Sequence, residues 1–346
     1  MNNVYWRVSD GSENVNTDLF NNHCMIIGGS GSGKTHLIKR VILPSLVKES
    51  LNCLILDYNG DFVDKDYIQT FPPGSIDVIQ VDTVGLKFNP FVITPIGDTQ
   101  SRNSCVAALA GLLAEVFDLG IQQRASLTTV MQEQYKDAGI PSLITDSFLK
   151  AHTKWPNFRQ LLLRLGGVNS MAANRLRNMG DLEIFSDGGS FSDLMCKTTV
   201  IALNRLPDDY TKKAVAELVL TAVYNRLLIQ GKRNSNELKT NFFIIIDEAH
   251  KISMLKATDT LTREGRKFGC GVILSTQLPR DFKDDIIAQV HNRFVFKQDF
   301  GDDATFIAEK MLRGDKALAG VIRNLELGQC IFSNRHNINV LVKVSK

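Results

Sequence analysis

No stretch of this 346-residue chain approaches the run of about 20 apolar residues that a membrane-crossing helix needs. Its start, MNNVYWRVSDGSENVNTD, has neither the basic leader nor the apolar core of a secretion signal. An excess of charge of one sign is also missing: 40 Lys and Arg stand against 37 Asp and Glu, for a net charge of +3. That balance permits contact with nucleic acid without arguing for it, because dedicated binding domains usually carry a stronger basic excess. Cysteine is sparse, at positions 24, 53, 105, 196, 270 and 330, and never occurs as C-x-x-C. This argues against a zinc or disulfide framework and favours a reducing, cytoplasmic setting. Internal repeats and low-complexity tracts are absent, which leaves an ordinary globular composition, 44% hydrophobic and 22% charged, with ample material for a core.

Short apolar runs alternate with longer helical patterns, as expected for a mainly parallel α/β sheet flanked by helices. Strands are expected at 23–28, 52–58, 76–81, 198–203, 242–247, 271–276 and 293–297, with a closing hairpin around Arg335–Asn337. Helices fit 34–48, 212–230, 250–267 and 302–313. Between about 100 and 195 the pattern turns helical, which predicts a mostly helical insertion within one domain spanning 23–346, after a short extension over 1–22.

The segment GGSGSGKT fits G-x-x-x-x-G-K-[ST], with an apolar strand before it and a helix after it. Glycines let successive N–H groups turn toward phosphate oxygens, and the helix start adds partial positive charge. The expected nucleotide-binding residues are Gly28, Gly29, Ser30, Gly31, Ser32, Gly33, Lys34, Thr35 and His36, with ATP and Mg²⁺ as cofactors. Lys34 suits the β- and γ-phosphates, and the Thr35 hydroxyl suits the metal.

The run FFIIIDEAHK brings an apolar strand to an end in Asp247, a second metal ligand, and Glu248, placed to polarise an attacking water. The alternative is a strand end followed by an acidic helix start, which the helix dipole favours anyway. Gln277, closing the strand GVILST, can donate to a terminal phosphate and accept from water, or simply cap a strand. His250 is assigned no chemistry. Arg263 and Arg266 share a helix face, with Lys267 beside them; they are either a surface group bonded to Asp259 or Glu264, or a cationic face for a neighbouring subunit's phosphates.

The motifs HCMIIGGSGSGKT, LILDYNGDF, KFNPF, IDEAHK, REGRKFGCGVILSTQLPRDF and NRFVFK occur in an order that resembles the HerA/FtsK superfamily of P-loop motor ATPases, its HerA-like members above all. The resemblance implies a RecA-like core with an extra strand between the phosphate-loop strand and the Asp–Glu strand. It also implies a hexameric homo-oligomer with ATP at subunit interfaces that translocates double-stranded DNA. Arg266, then Arg263, become the expected trans-acting arginines, and Asp57 matches an aspartate near the nucleotide. The chain departs from relatives in having about 20 residues where archaeal-type members carry an N-terminal β-barrel, in Asp61 for a frequent glutamate, and in lacking the membrane helices of conjugation coupling proteins. The expected function is a DNA translocase serving a separately encoded nuclease or effector, with antiviral defence as one setting. The alternatives are an ATP-regulated scaffold for a defence effector and a cytosolic motor for conjugation, secretion or genome packaging. Lys212–Lys213 and Arg175/Arg177 are candidate pore contacts.

Overall fold

A computed structural model of the chain describes residues 5–7, 14–16, 21–152, 154–187, 191–232, 240–314 and 316–344. The chain forms two compact units, one of Met1–Val78, Leu194–Asn204 and Lys232–Lys346, the other of Ile79–Asp193 and Arg205–Gly231.

A nine-stranded sheet is built from β1 (Cys24–Ile27), β2 (Asn52–Asp57), β3 (Ile76–Gln80), β4 (Thr198–Ala202), β5 (Phe242–Ile246), β6 (Cys270–Thr276), β7 (Asn292–Phe296), β8 (Gln329–Ser333) and β9 (Val340–Lys343). Their order is β9-β8-β7-β1-β6-β5-β2-β4-β3. Pairing is parallel from β7 across to β4 and antiparallel through β7, β8 and β9. Every residue of β1, β4, β5 and β6 is buried, the signature of strands covered on both faces. That is why these strands read as mainly apolar runs, and the expected strand positions hold to within a residue or two. Side chains such as Ile26, Ile245, Ile273 and Phe294 form one cluster with Leu37, Ile38 and Ile42 of the helix after β1. Each such fully buried aliphatic side chain contributes roughly 1.5–3 kcal/mol. Residues 5–7 and 14–16 pair as a short antiparallel ladder.

The register sets what lies level at the carboxyl edge. Thr276 pairs with Ile27, and Leu274 with Ile246, while Leu56 also pairs with Ile246. Continuing one residue brings Asp247 level with Ser275 and Asp57, and Gln277 level with Gly28. β6 is the extra strand between β1 and β5.

One expectation is corrected. The single helix anticipated over 250–267 is three pieces, a 3-10 turn Ala249–Ile252, an α-helix Lys256–Glu264 and a second 3-10 turn Gly265–Phe268. Glu248 leaves the strand in the left-handed conformation (φ 54°) just before this stretch, and within it buried Leu255 is extended (ψ 138°), so no continuous helix can run through it.

The second unit is mainly helical, with helices Arg102–Val116, Ile121–Asp137, Phe158–Val168, Ser170–Asp181 and Asp209–Gln230. Four begin at side-chain caps, in which Ser101, Asn157, Asn169 and Asp208 accept from the N–H of Ser104, Gln160, Ala172 and Thr211. Phe91 stacks edge-on against Phe158, and the buried Tyr135 hydroxyl donates to Phe91 O at 2.6 Å, which satisfies the one polar atom of that cluster.

Candidate active site

The loop after β1 is shaped by two glycines. Gly33 takes φ 116°, open only to a residue without a Cβ, and a Cβ on Gly28 would stand 2.6 Å from Phe296 Cβ. Backbone bonds pin the loop to both flanking strands: Gly28 N–H donates to Thr276 O at 3.3 Å and Gly29 N–H to Lys297 O at 2.9 Å. The helix Lys34–Leu37 then begins and continues through a π-turn, Ile38–Ile42, into Leu43–Lys48. Lys34 folds back over the loop, its Nζ donating to Gly28 O at 2.8 Å and Gly29 O at 3.0 Å. Burial lowers its pKa, while Glu248 and Asp247 act in the opposite direction. Ser30 and Gly31 are exposed, Thr35 and His36 are half-buried, and Ser32 Oγ is buried without a hydrogen-bond partner.

At the carboxyl end of β5, Asp247 is 1% exposed, and neither carboxylate oxygen has a hydrogen-bond partner. Burial raises its pKa from 3.8 to about 6; Glu248, Asp61 and Asp57 add to the rise, and Ser275 opposes it. Leaving a carboxylate in such a place is costly unless a cation completes it. Among the described residues, no group of three or more His, Cys, Asp or Glu side chains is placed to hold a metal unaided. An unsatisfied carboxylate, a threonine hydroxyl and an open phosphate cradle fit Mg²⁺, which takes one or two protein ligands and completes its shell with water and phosphate oxygens. The residues therefore fit a magnesium nucleotide, and Thr35 and Asp247 are the side chains that could hold its metal.

Glu248 lies 8% exposed at the centre of a polar group. Gln277 Nε2 donates to both of its oxygens, at 2.9 and 3.2 Å. Asn59 Nδ2 donates to Oε1 at 3.4 Å, and His250 Nδ1 lies 3.3 Å from Oε2. The structure thus brings together Gly28–Thr35, Asp247, Glu248 and Gln277. It adds Asn59 and His250, to which no chemistry was assigned from the sequence. Asn59 belongs to the DYNGDF motif, whose polar spacing was the only available signal.

Asp57 is fully buried, and its carboxylate accepts from the N–H groups of Gly60, Asp61 and Phe62 at 2.8, 3.1 and 2.9 Å. It holds the turn that carries Asn59. Gly60, at φ 86°, packs against the Asn204 side chain.

The cationic cluster lies elsewhere. Arg266 and Lys267 occupy the turn before β6, exposed, at the amino edge of the sheet. The seven residues of β6 separate that turn from Gln277, a span of about 20 Å at strand rise, beyond an arginine's reach. Arg263 is engaged by Asp259 at 2.6 Å and by Asp285 at 2.9 Å. In the second unit, Arg175 donates to Phe117 O at 2.9 Å and Arg177 to Asn174 Oδ1 at 2.6 Å, while Lys212 and Lys213 are half-buried.

Residues 11–136 match the family described as helicase HerA, central domain. The chain is similar to the DNA double-strand break repair helicase HerA of Saccharolobus solfataricus, 24% identical over 340 residues that cover 92% of this chain and 62% of that protein. The HerA of Sulfolobus acidocaldarius is likewise 24% identical, over 94% of this chain and 65% of its own length. The chain therefore spans a little under two thirds of these relatives. Among solved structures, VirB4 of Thermoanaerobacter pseudethanolicus superposes with a TM-score of 0.74 at 18% identity, covering 98% of each chain. The plasmid coupling protein TrwB in complex with ADP and Mg²⁺ superposes with a TM-score of 0.64 at 15% identity, over 95% of this chain and 86% of its own. The resemblance read from the motifs holds, and the fold is that of these P-loop ATPases. No helix among the described residues is long and apolar enough to cross a membrane.

Proposed function

We propose that this HerA-like chain is the ATP-hydrolysing subunit of a hexameric ring that moves double-stranded DNA and serves a separately encoded nuclease or other effector. The observation that carries the reading is Glu248, fixed beside a complete phosphate loop by Gln277 across adjacent strand ends. Similarity to the HerA repair helicases and a fold shared with VirB4 and TrwB support the choice of motor.

In this reading, the loop amides from Gly28 to Lys34, with the Lys34 ammonium, hold the β- and γ-phosphates. Thr35 and Asp247 would hold Mg²⁺, which would supply positive charge to neutralise that building on the phosphate oxygens. Glu248 orients the attacking water and accepts its proton, and burial among polar donors keeps the carboxylate in place. Gln277, which now gives its amide to Glu248, finds a second acceptor in a terminal phosphate, so its contacts register whether that phosphate is present. Arg266 lies too far from its own phosphate loop to act there, so a role for it in hydrolysis would fall on a neighbouring subunit's nucleotide.

ATP hydrolysis by the full chain, measured with and without linear duplex DNA, tests the reading. The wild type is expected to hydrolyse ATP and to be stimulated by duplex. Glu248→Gln should bind ATP while losing roughly 10²–10⁴ of the rate, and Lys34→Ala should lose binding. Absence of DNA-stimulated hydrolysis, alone and with the partner, would sink the translocase reading. Effector activation that survives in Glu248→Gln would replace it with an ATP-regulated scaffold.

A further inference from the structure

The phosphate loop has two flanks at the sheet edge. On one, β5 and β6 lead to Asp247, Glu248 and Gln277; on the other, β7 and β8 border the segments 297–300 and 324–328. In the function proposed above, on which this inference rests, the terminal phosphate faces Glu248. The ribose and base of the nucleotide must then leave over the opposite flank.

Both segments on that flank reach the phosphate loop. Gly29 N–H donates to Lys297 O at 2.9 Å, and a Cβ on Gly33 would stand 3.6 Å from Gly328 Cα. The two segments also lie beside each other. β7 and β8 pair antiparallel with Phe296 opposite Cys330, and a Cβ on Gly301 would be 3.8 Å from the guanidinium of Arg323. Each turns one large apolar side chain to solvent: Phe300 is 75% exposed and Leu327 is 75% exposed. Their neighbours Phe296 and Leu325 are buried, at 0% and 4%, so the core was within reach of both segments and did not take these two side chains. The Gln298 amide Nε2, on the same segment as Phe300, is buried without a hydrogen-bond partner.

Two exposed apolar groups on converging segments, with a polyphosphate cradle between them and the catalytic flank, make a wall for something flat and apolar that is tethered to phosphates. A nucleobase has that chemistry, and aromatic rings stack on its face whatever its identity. We propose that Phe300 and Leu327 form the platform on which the base of the bound nucleotide rests, with Gln298 beside it as the polar group able to contact a base edge or ribose hydroxyl.

Affinity for ATP and for inorganic tripolyphosphate, measured by calorimetry on the full chain, separates base from phosphate. Phe300→Ala is expected to weaken ATP binding by about tenfold, in the range found when a stacking ring is removed. Leu327→Ala should weaken it less, Phe300→Tyr should retain it, and tripolyphosphate should bind all four proteins alike. Because Phe300 is largely in water, its truncation leaves the fold intact. Unchanged ATP affinity in both alanine variants overturns the platform, as does an equal loss for tripolyphosphate or a defect in subunit association alone. A wild type that binds ATP no better than tripolyphosphate overturns the platform only. A wild type that binds neither overturns the nucleotide reading, and the platform with it.

Discussion

Replacing Asp247 with Asn should stabilise the nucleotide-free protein while abolishing its activity. The carboxylate is 1% exposed and unpartnered, and burial raises its pKa from 3.8 to about 6. The sign follows from proton binding. Between about pH 4 and pH 6 the folded chain keeps a proton that the unfolded chain has released, so stability falls as pH rises through that window. Above pH 6 the full cost is present, and the difference between 3.8 and about 6 corresponds to about 3 kcal/mol. Asparagine has nearly the same shape and no charge, so Asp247→Asn should recover most of that amount at pH 7.5. At pH 4, where the wild-type carboxyl is already neutral, it should recover almost nothing. Urea titrations of both proteins in chelator, without nucleotide, measure the difference directly. An Asp247→Asn protein that is no more stable than wild type at pH 7.5, or equally stabilised at both pH values, would refute the idea that an uncompensated buried charge awaits a cation. Hydrolysis of Mg-ATP should be lost in the same variant.

His23, at the amino end of β1, is pushed down from 6.5 to about 4, chiefly by burial and then by the charges of Arg266 and His291. Its Nδ1 accepts from Val272 N–H at 3.0 Å, which fixes the neutral ring in place. Because its folded pKa lies below the unfolded value, stability is lost as pH falls from about 6.5 to about 4, by about 3 kcal/mol. This slope opposes that of Asp247, so wild-type stability should change little over the shared window, and Asp247→Asn should expose the acid-side loss in denaturant melts from pH 7 to pH 4. For the ring, Arg266→Ala should abolish hydrolysis and spare ATP binding. Mixing it with Lys34→Ala should restore part of the rate, and normal hydrolysis by Arg266→Ala alone, or no rescue on mixing, would return Arg266 to a surface role.

The sheet was legible in the sequence because strands covered on both faces are mainly apolar: β1 and β5 are wholly so, and β4 and β6 depart from it only at Thr198–Thr199 and Ser275–Thr276. The phosphate loop and the Asp247–Glu248 pair were legible because their chemistry demands fixed spacing. What escaped has no periodic signature. The break-up of 250–267 depends on one extended, buried residue, Leu255. Asn59 comes near Glu248 only because register sets the ends of β2 and β5 level, while His250 turns back onto it within the 3-10 turn that follows β5. Helix Asp209–Gln230 belongs to the second compact unit although β4 separates it from the rest of that unit in sequence. Such groupings depend on which chain segments pack together, and a reading along the chain does not contain that information.

In the proposed mechanism the extra strand gives the glutamine its part. With β6 inserted, β5 lies two strand spacings from β1, about 10 Å. A carboxylate at the end of β5 cannot touch the phosphate loop directly across that gap. In the proposed function a magnesium-bound triphosphate would fill part of it from the β1 side. Gln277, at the end of the intervening strand and level with Gly28, is the residue within reach of both sides, and it already holds Glu248 by both oxygens. If the terminal phosphate takes one of those amide hydrogens, Glu248 is freed from a two-point grip as the water it is proposed to activate arrives. The coupling of hydrolysis to nucleotide state in the proposed motor then follows from strand order. Moving the glutamine by one residue would point it to the other face of the sheet and break the link while leaving both ends intact.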